Sequence, residues 1–246
     1  MGKTRIVCGL IVWWLFCNDA AFSQGMRIWR DGEILEFTVS EVDSITFFME
    51  NPDSVKYEFV DLGLPSGLQW AKKNVGAGAP EQYGYYYAWG EKENKKSYEC
   101  MNYEFYKAKN STCSNLGNLS GTENDVAFKT WSDGWRMPTQ AEMKELVENC
   151  TWTWMNYNGV EGMKVMGANG NFIFLPAAGY YRGAVLYADE EMGCYWTSNQ
   201  RYHAIYHAWC LYFDLDGQYT GDCHYRRSDG HPIRPVRSPS DIPSQE

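Results

Sequence analysis

Basic residues are the scarce charged class in this sequence: 22 Lys and Arg stand against 31 Asp and Glu, a formal net charge of −9 over 246 residues. Nucleic acids and anionic membranes are held by a basic footprint that displaces counterions, so polyanions are excluded as general partners. Long apolar runs are missing after the first 25 residues, and a later membrane span would need roughly 20 apolar residues. No Cys-x-x-Cys pair occurs, which removes the usual zinc and thioredoxin-type arrangements. Gly-x-Ser-x-Gly and phosphate-loop patterns are also missing. What is plentiful is aromatic: 11 Trp, 18 Tyr and 11 Phe, more Trp and Tyr than an ordinary core requires. With 44% hydrophobic and 22% charged residues the composition is globular, and the length allows one large or two small domains.

The first residues read as a leader. Lys3 and Arg5 precede an apolar run from Ile6 to Cys17, followed by the small-residue site Ala21-Phe22-Ser23. This is the layout of a secretory signal peptide over 1–23, cleaved after Ser23, and about 12 apolar residues are too few for an anchor. Lipidation would want a small residue before Cys17, where Phe16 stands. The expectation is an exported protein at the cell surface or outside the cell, the periplasm being the other compartment open to it, with no transmembrane span after leader removal. Six cysteines then remain: Cys100, Cys113, Cys150, Cys194, Cys210 and Cys223. An even count in an oxidising compartment favours disulfides.

Residues 24–50 read as a small β-strand module. Met26–Arg30 and Glu33–Phe37 flank the turn dipeptide Asp31-Gly32, and a further strand is expected over Asp43–Phe48. A linker at 51–56 precedes one domain over 57–237, and 238–246 reads as a disordered tail. One helix is clearly marked: Thr139 as N-cap, Glu142 completing a capping box, and Met143, Leu146, Val147 and Cys150 on one buried stripe. A weaker helix is expected over Glu123–Trp131, led by Thr122. Strands follow at Met163–Met166, Phe172–Leu175, Tyr195–Ser198, Ala208–Asp214, Tyr219–Tyr225 and Ile233–Val236, with turns at Asn169-Gly170 and Asp216-Gly217. Two helices followed by a meander of antiparallel strands make an α+β fold.

Several motifs occur in order across 57–237: Asp61-Leu-Gly-Leu-Pro-Ser-Gly-Leu-Gln-Trp-Ala71, Asn74-Val-Gly-Ala-Gly, Tyr83-Gly-Tyr-Tyr-Tyr-Ala-Trp-Gly-Glu91, Trp135-Arg-Met-Pro-Thr139, Asn149-Cys-Thr-Trp-Thr-Trp154, Phe174-Leu-Pro-Ala-Ala-Gly179, Tyr195-Trp-Thr-Ser198 and Ile233-Arg-Pro-Val-Arg237. Together they closely resemble the Fibrobacter succinogenes major paralogous domain, and the N-terminal hairpin resembles a module of Bacteroidetes surface proteins. The resemblance implies a C-type-lectin-like domain related to the formylglycine-generating enzyme, exported and adhesin-like. Trp70, Trp89, Trp135, Trp152 and Trp154 fall in its motifs and read as framework. One departure stands out. The family commonly carries a cysteine before Asn-Val-Gly, where this chain has Lys72-Lys73, so Cys150 lacks that partner and reads as a free thiol on its helix stripe.

A two-residue turn at Asp216-Gly217 sets Leu215 opposite Gln218 and, counting outward, Cys210 opposite Cys223 in a non-hydrogen-bonded pair that admits a disulfide. The same pleat gathers Trp209, Leu211 and Phe213 on a core face and Cys210, Tyr212, Asp214 and Tyr219 on the other. With Arg201, Tyr202, His203, Tyr206, His207, Tyr225, Arg226 and Arg227, the second set forms a polar-aromatic cluster of the kind enriched at recognition surfaces. The expected function is therefore non-enzymatic capture of a glycan or protein ligand. No cofactor or metal is expected: His203 and His207 lack the glutamate of a His-Glu-x-x-His site, and Asp214, Asp216 and Asp222 miss EF-hand spacing. The second reading is an enzyme of the formylglycine-generating type or a carbohydrate hydrolase, and the third a structural subunit of a surface assembly pairing through the N-terminal strands.

Overall fold

The computed structural model describes residues 25–30, 33–38, 58–131, 134–220 and 224–239. The leader expected over 1–23, the Asp31-Gly32 turn, the strand expected at 43–48, Cys223 and most of the expected tail lie outside them. The chain divides into two compact units, Met1–Val55 and Lys56–Glu246. In the first, β1 (Gly25–Arg30) pairs antiparallel with β2 (Glu33–Thr38), and Arg30 faces Glu33 as the hairpin reading requires.

The second unit is mostly β, with two helices and several antiparallel sheets. β3 (Phe59–Asp61) and β4 (Gln69–Ala71) open it, followed by the two-residue strands β5 (Tyr106–Lys107) and β6 (Thr112–Cys113). Then come α1 (Val126–Thr130), α2 (Gln140–Asn149), β7 (Thr151–Tyr157), β8 (Val160–Met166), β9 (Phe172–Pro176), β10 (Ala178–Arg182) and β11 (Val185–Asp189). β12 (Gly193–Gln200), β13 (His207–Asp214), β14 (Gly217–Tyr219), β15 (His224–Arg226) and β16 (Val236–Arg237) complete it. The largest sheet runs β11-β10-β12-β13-β14, with β15 also on β13; β7-β8-β9 form a second. In a third sheet β16 returns to pair with β4, which in turn pairs with β3.

The marked helix forms as its sequence dictates. Thr139 Oγ1 accepts from Glu142 N–H, and Glu142 Oε2 accepts from Thr139 N–H at 2.7 Å, a reciprocal capping box. Met143 and Leu146 are buried, while Val147 and Cys150 pack half-buried beside them. Cys150 is a free thiol, pushed up to about 11 by burial. Arg136 clamps the Glu142 carboxylate with two bonds of 2.9 and 2.6 Å. Burial alone would raise this carboxyl, but Arg136 and the Thr139 N–H outweigh it and hold the group below its ordinary value. The stabilisation is thus present above the unfolded carboxyl pKa and is lost as pH falls through the folded one. Glu142→Gln is expected to cost about 1–2 kcal/mol at pH 7. The gap between the urea midpoints of wild type and variant should narrow from pH 7 to pH 3, and a gap unchanged between the two pH values would refute this account.

The weaker helix is shorter than expected and is capped by Asp125, not led by Thr122. Asp125 is buried and accepts from the N–H groups of Phe128, Gly121 and Met137, whereas the Thr122 hydroxyl donates to Leu119 O. The first carboxylate able to take three backbone donors wins over the hydroxyl that comes earlier in the chain.

Two cores sandwich β12 and β13. Trp89, Trp135, Cys194, Trp196, Ala208 and Cys210 lie in one, and Trp70, Leu146, Val165, Tyr195, Leu211 and Phe213 in the other. Gly193 must stay glycine, because a Cβ there would sit 2.0 Å from the Phe213 ring. Arg234 is fully buried, donating to Asn74 Oδ1, to the carbonyls of Ala71 and Lys72, and to Phe174 O in β9.

This sandwich corrects the face assignment on β13. Leu211 and Phe213 are core as expected, but Trp209 is only half-buried and Cys210 is fully buried. A strand covered on both sides shows no clean apolar alternation to read. The turn also moves: Asp214 pairs with Gly217, leaving Leu215-Asp216 at the bend. The cause is the Asp214 carboxylate, which accepts from the N–H groups of Asp216 at 2.9 Å and Gly217 at 3.1 Å and so places the bend one residue early. At β15 the expected register is nonetheless present, with Ala208 opposite Tyr225 and Trp209 opposite His224. Cys210 is disulfide-bonded; Cys100, Cys113, Cys150 and Cys194 are free.

Candidate recognition face

The pleat of β13 and β15 divides the predicted cluster between two sides of the sheet. Ala208, Cys210 and Tyr212 point into or over the first core, and Tyr225, opposite Ala208, packs half-buried on the same core. His207 and Trp209 lie on the other side, with His224 against both at ring distances of 5.0 and 6.1 Å. There Arg201 stacks over Trp209 at 5.3 Å and donates to His224 Nε2 at 2.5 Å. His207 is held below its ordinary pKa, first by burial and then by His224, Arg201 and Arg226. Arg226 is exposed opposite His207. Tyr202, 89% exposed, and His203 sit on the β12–β13 loop, and Tyr206 on the same loop donates to Ser111 O.

Arg227 does not belong to a surface at all. It is fully buried, stacked 4.6 Å over Trp89, and donates to Tyr103 Oη, Ser114 O and Ile205 O. A guanidinium can satisfy several carbonyls at once from a planar fork, which is why an arginine next to an exposed one can be core.

On the first side the structure adds residues that the sequence reading missed. Tyr180 and Tyr187 face each other across β10 and β11, their rings stacked at 5.6 Å. Tyr180 meets Tyr225 at 4.8 Å, and Tyr212 meets its cross-strand partner Tyr219 at 6.1 Å. Tyr187 is 44% exposed and Tyr219 52%, with Tyr180, Tyr212 and Tyr225 half-buried among them. Burial raises the phenols of Tyr212 and Tyr225, and the Tyr212 Oη donates to Asp214 Oδ2 at 2.5 Å. Arg182 lies 5.3 Å over the Tyr180 ring and pairs bidentately with the buried carboxylate of Asp229. Beneath them His231 packs against Trp196 at 4.1 Å and Tyr225 at 4.8 Å; burial pushes it down to about 3, so it is neutral. The signal for Tyr180 and Tyr187 was present in Gly179-Tyr-Tyr-Arg-Gly183 and Leu186-Tyr187, an aromatic run bounded by glycines that no strand was assigned to.

No family model, curated protein or solved structure matches the chain. The tyrosine side of the sheet is the distinguishing geometry of this domain. It offers planar apolar rings with phenol, guanidinium and carboxylate groups at their margins, an arrangement suited to stacking on a ligand and hydrogen-bonding its periphery. Among the described residues no group of three or more His, Cys, Asp or Glu is arranged to hold a metal ion, and no helix is long and apolar enough to cross a membrane.

Proposed function

We propose that this is an exported, surface-associated binding protein, without enzymatic activity, that recognises a glycan or protein ligand through its tyrosine face. The observation that carries this reading is the convergence of Tyr187, Tyr180, Tyr225, Tyr212 and Tyr219 from five strands onto one side of a single sheet. Tyrosine offers large contact area at small entropy cost, and a soluble domain rarely leaves so much aromatic surface partly open without use. We assign the domain to the C-type-lectin-like class and the major paralogous family on the motifs between Asp61 and Arg237; the two helices and antiparallel sheets are compatible with that class.

The test replaces the two outer rings, Tyr187→Ala with Tyr219→Ala, since both are near half exposed and their loss leaves the cores filled. On an array of printed oligosaccharides and purified proteins, capture should fall about 10- to 100-fold, as expected for losing two aromatic anchors. The variant should remain folded, with a loss of about 1–3 kcal/mol for the two ring contacts. Undiminished capture by a folded variant would remove the face from the mechanism.

A further inference from the structure

A pocket of about 260 Å³ lies between the helical turn Cys100–Asn102, the β5–β6 hairpin and the start of β13, lined by none of the five tyrosines of the proposed face. Two free thiols, Cys100 and Cys113, line it together with Tyr106, Tyr206, His207 and Ser228. The backbone brings the cysteines to one place. Tyr103 N–H donates to Cys100 O, Tyr106 N–H donates to Tyr103 O, and Tyr106 is paired across the hairpin with Cys113. The chain that leaves Cys100 therefore folds straight back beside Cys113.

The two sulfurs have unlike surroundings. Cys100 is exposed, with Sγ 3.5 Å from Ser228 Oγ. Cys113 is buried, and its thiol is raised first by burial, with Cys100 adding to the rise and Arg227 opposing it. His207 Nδ1, on the same pocket, is buried with no hydrogen-bond partner among the described residues.

We propose that Cys100 and Cys113 are an exchangeable dithiol that closes to a disulfide across this pocket, with a low-molecular-weight disulfide as the oxidant. The exposed Cys100 thiolate attacks one sulfur of the small disulfide, so a mixed disulfide forms and one small thiolate leaves with the proton Cys100 gave up. Cys113 then loses its proton to solvent and attacks the Cys100 sulfur. The Cys100–Cys113 bond forms, the mixed disulfide breaks, and the second small thiolate leaves and takes that proton. Two cysteine sulfurs are oxidised and one small disulfide is reduced to two thiols.

The test equilibrates the full chain in glutathione buffers of increasing oxidised fraction, quenches with acid, alkylates, and maps tryptic peptides without reduction. Cleavage at Lys96, Lys107, Lys109 and Lys129 separates the two cysteines, so the bond is read as Ser97–Lys107 joined to Asn110–Lys129. That species should rise with the oxidised fraction, reverse on returning to reduced buffer, and be absent in Cys100→Ser. Recovery of the two peptides unlinked at every ratio overturns the proposal. So does Cys100 appearing only as its glutathione adduct, or linkage of Cys100 or Cys113 to Cys150 or Cys194 as often as to each other.

Discussion

Arg234→Met is expected to lower the unfolding free energy by about 3–5 kcal/mol, because it strands buried partners of a buried charge. The guanidinium is fully enclosed and burial pulls it down to about 10, yet all three nitrogens are spent on acceptors 2.8 to 3.1 Å away. Those acceptors belong to the end of β4, to the segment after it and to β9, so one side chain joins the small closing sheet to the β7-β8-β9 sheet. Asn74, held by Arg234, in turn donates to Tyr83 O at 2.9 Å. Methionine keeps much of the volume and removes only the polar fork, which isolates the hydrogen-bonding contribution from a cavity effect. For a unit of this size the melting temperature should fall by about 10 °C, at roughly 2–4 °C per kcal/mol. Thermal and urea unfolding followed by circular dichroism would decide it. A loss under about 1 kcal/mol would mean that water replaces the fork, in conflict with its enclosure.

The second large effect concerns Cys210. It is disulfide-bonded and fully buried, and the four other described cysteines are free. The expected partner is Cys223, which lies outside the described residues; the β13–β15 register that sets Trp209 opposite His224 is the one derived for that pair. A bridge closing a loop of this length contributes about 3 kcal/mol through the unfolded state. Cys223→Ser should therefore destabilise by about 2–4 kcal/mol under oxidising conditions and by little once the wild type is reduced. The pairing itself has a direct signature. No Lys or Arg lies between Tyr202 and Arg226, so both cysteines fall in one tryptic peptide, which should run two hydrogens lighter than its reduced form. A full-mass peptide with two alkylated cysteines would refute the assignment.

The parts of this structure that were legible in the sequence are those fixed locally. Thr139 and Glu142 satisfy each other three residues apart, and the stripe from Met143 to Cys150 repeats at helical spacing, so both were readable without tertiary context. Trp70, Trp89 and Trp135 are fully buried and Trp152 and Trp154 half-buried, as their framework reading implied. What failed depended on long-range cover. Cys210 and Arg227 looked like surface because nothing nearby in sequence shows that Trp89, Tyr103 and Trp196 close over that side. β10 and β11 escaped notice because Ala-Gly-Tyr-Tyr-Arg and Val-Leu-Tyr-Ala-Asp are too short to show an apolar-polar alternation, and only pairing with each other and with β12 makes them strands. The candidate site was consequently half visible: Tyr212, Tyr219 and Tyr225 were named, Tyr180 and Tyr187 were not, and His207, Arg226 and Arg201 turned out to face the opposite way.

The outer rings of the tyrosine face have a consequence for how this protein can change over generations. Tyr187 and Tyr219 stand at the two ends of the row, near half exposed, while the burden of holding the fold falls on Arg234, Asp125, Arg227 and the Cys210 bridge. Losing one of these rings costs about 0.5–1.5 kcal/mol of aromatic pairing, less than the loss expected for Arg234. Under the proposed function, inheritance can therefore rewrite what the face meets while leaving the scaffold intact.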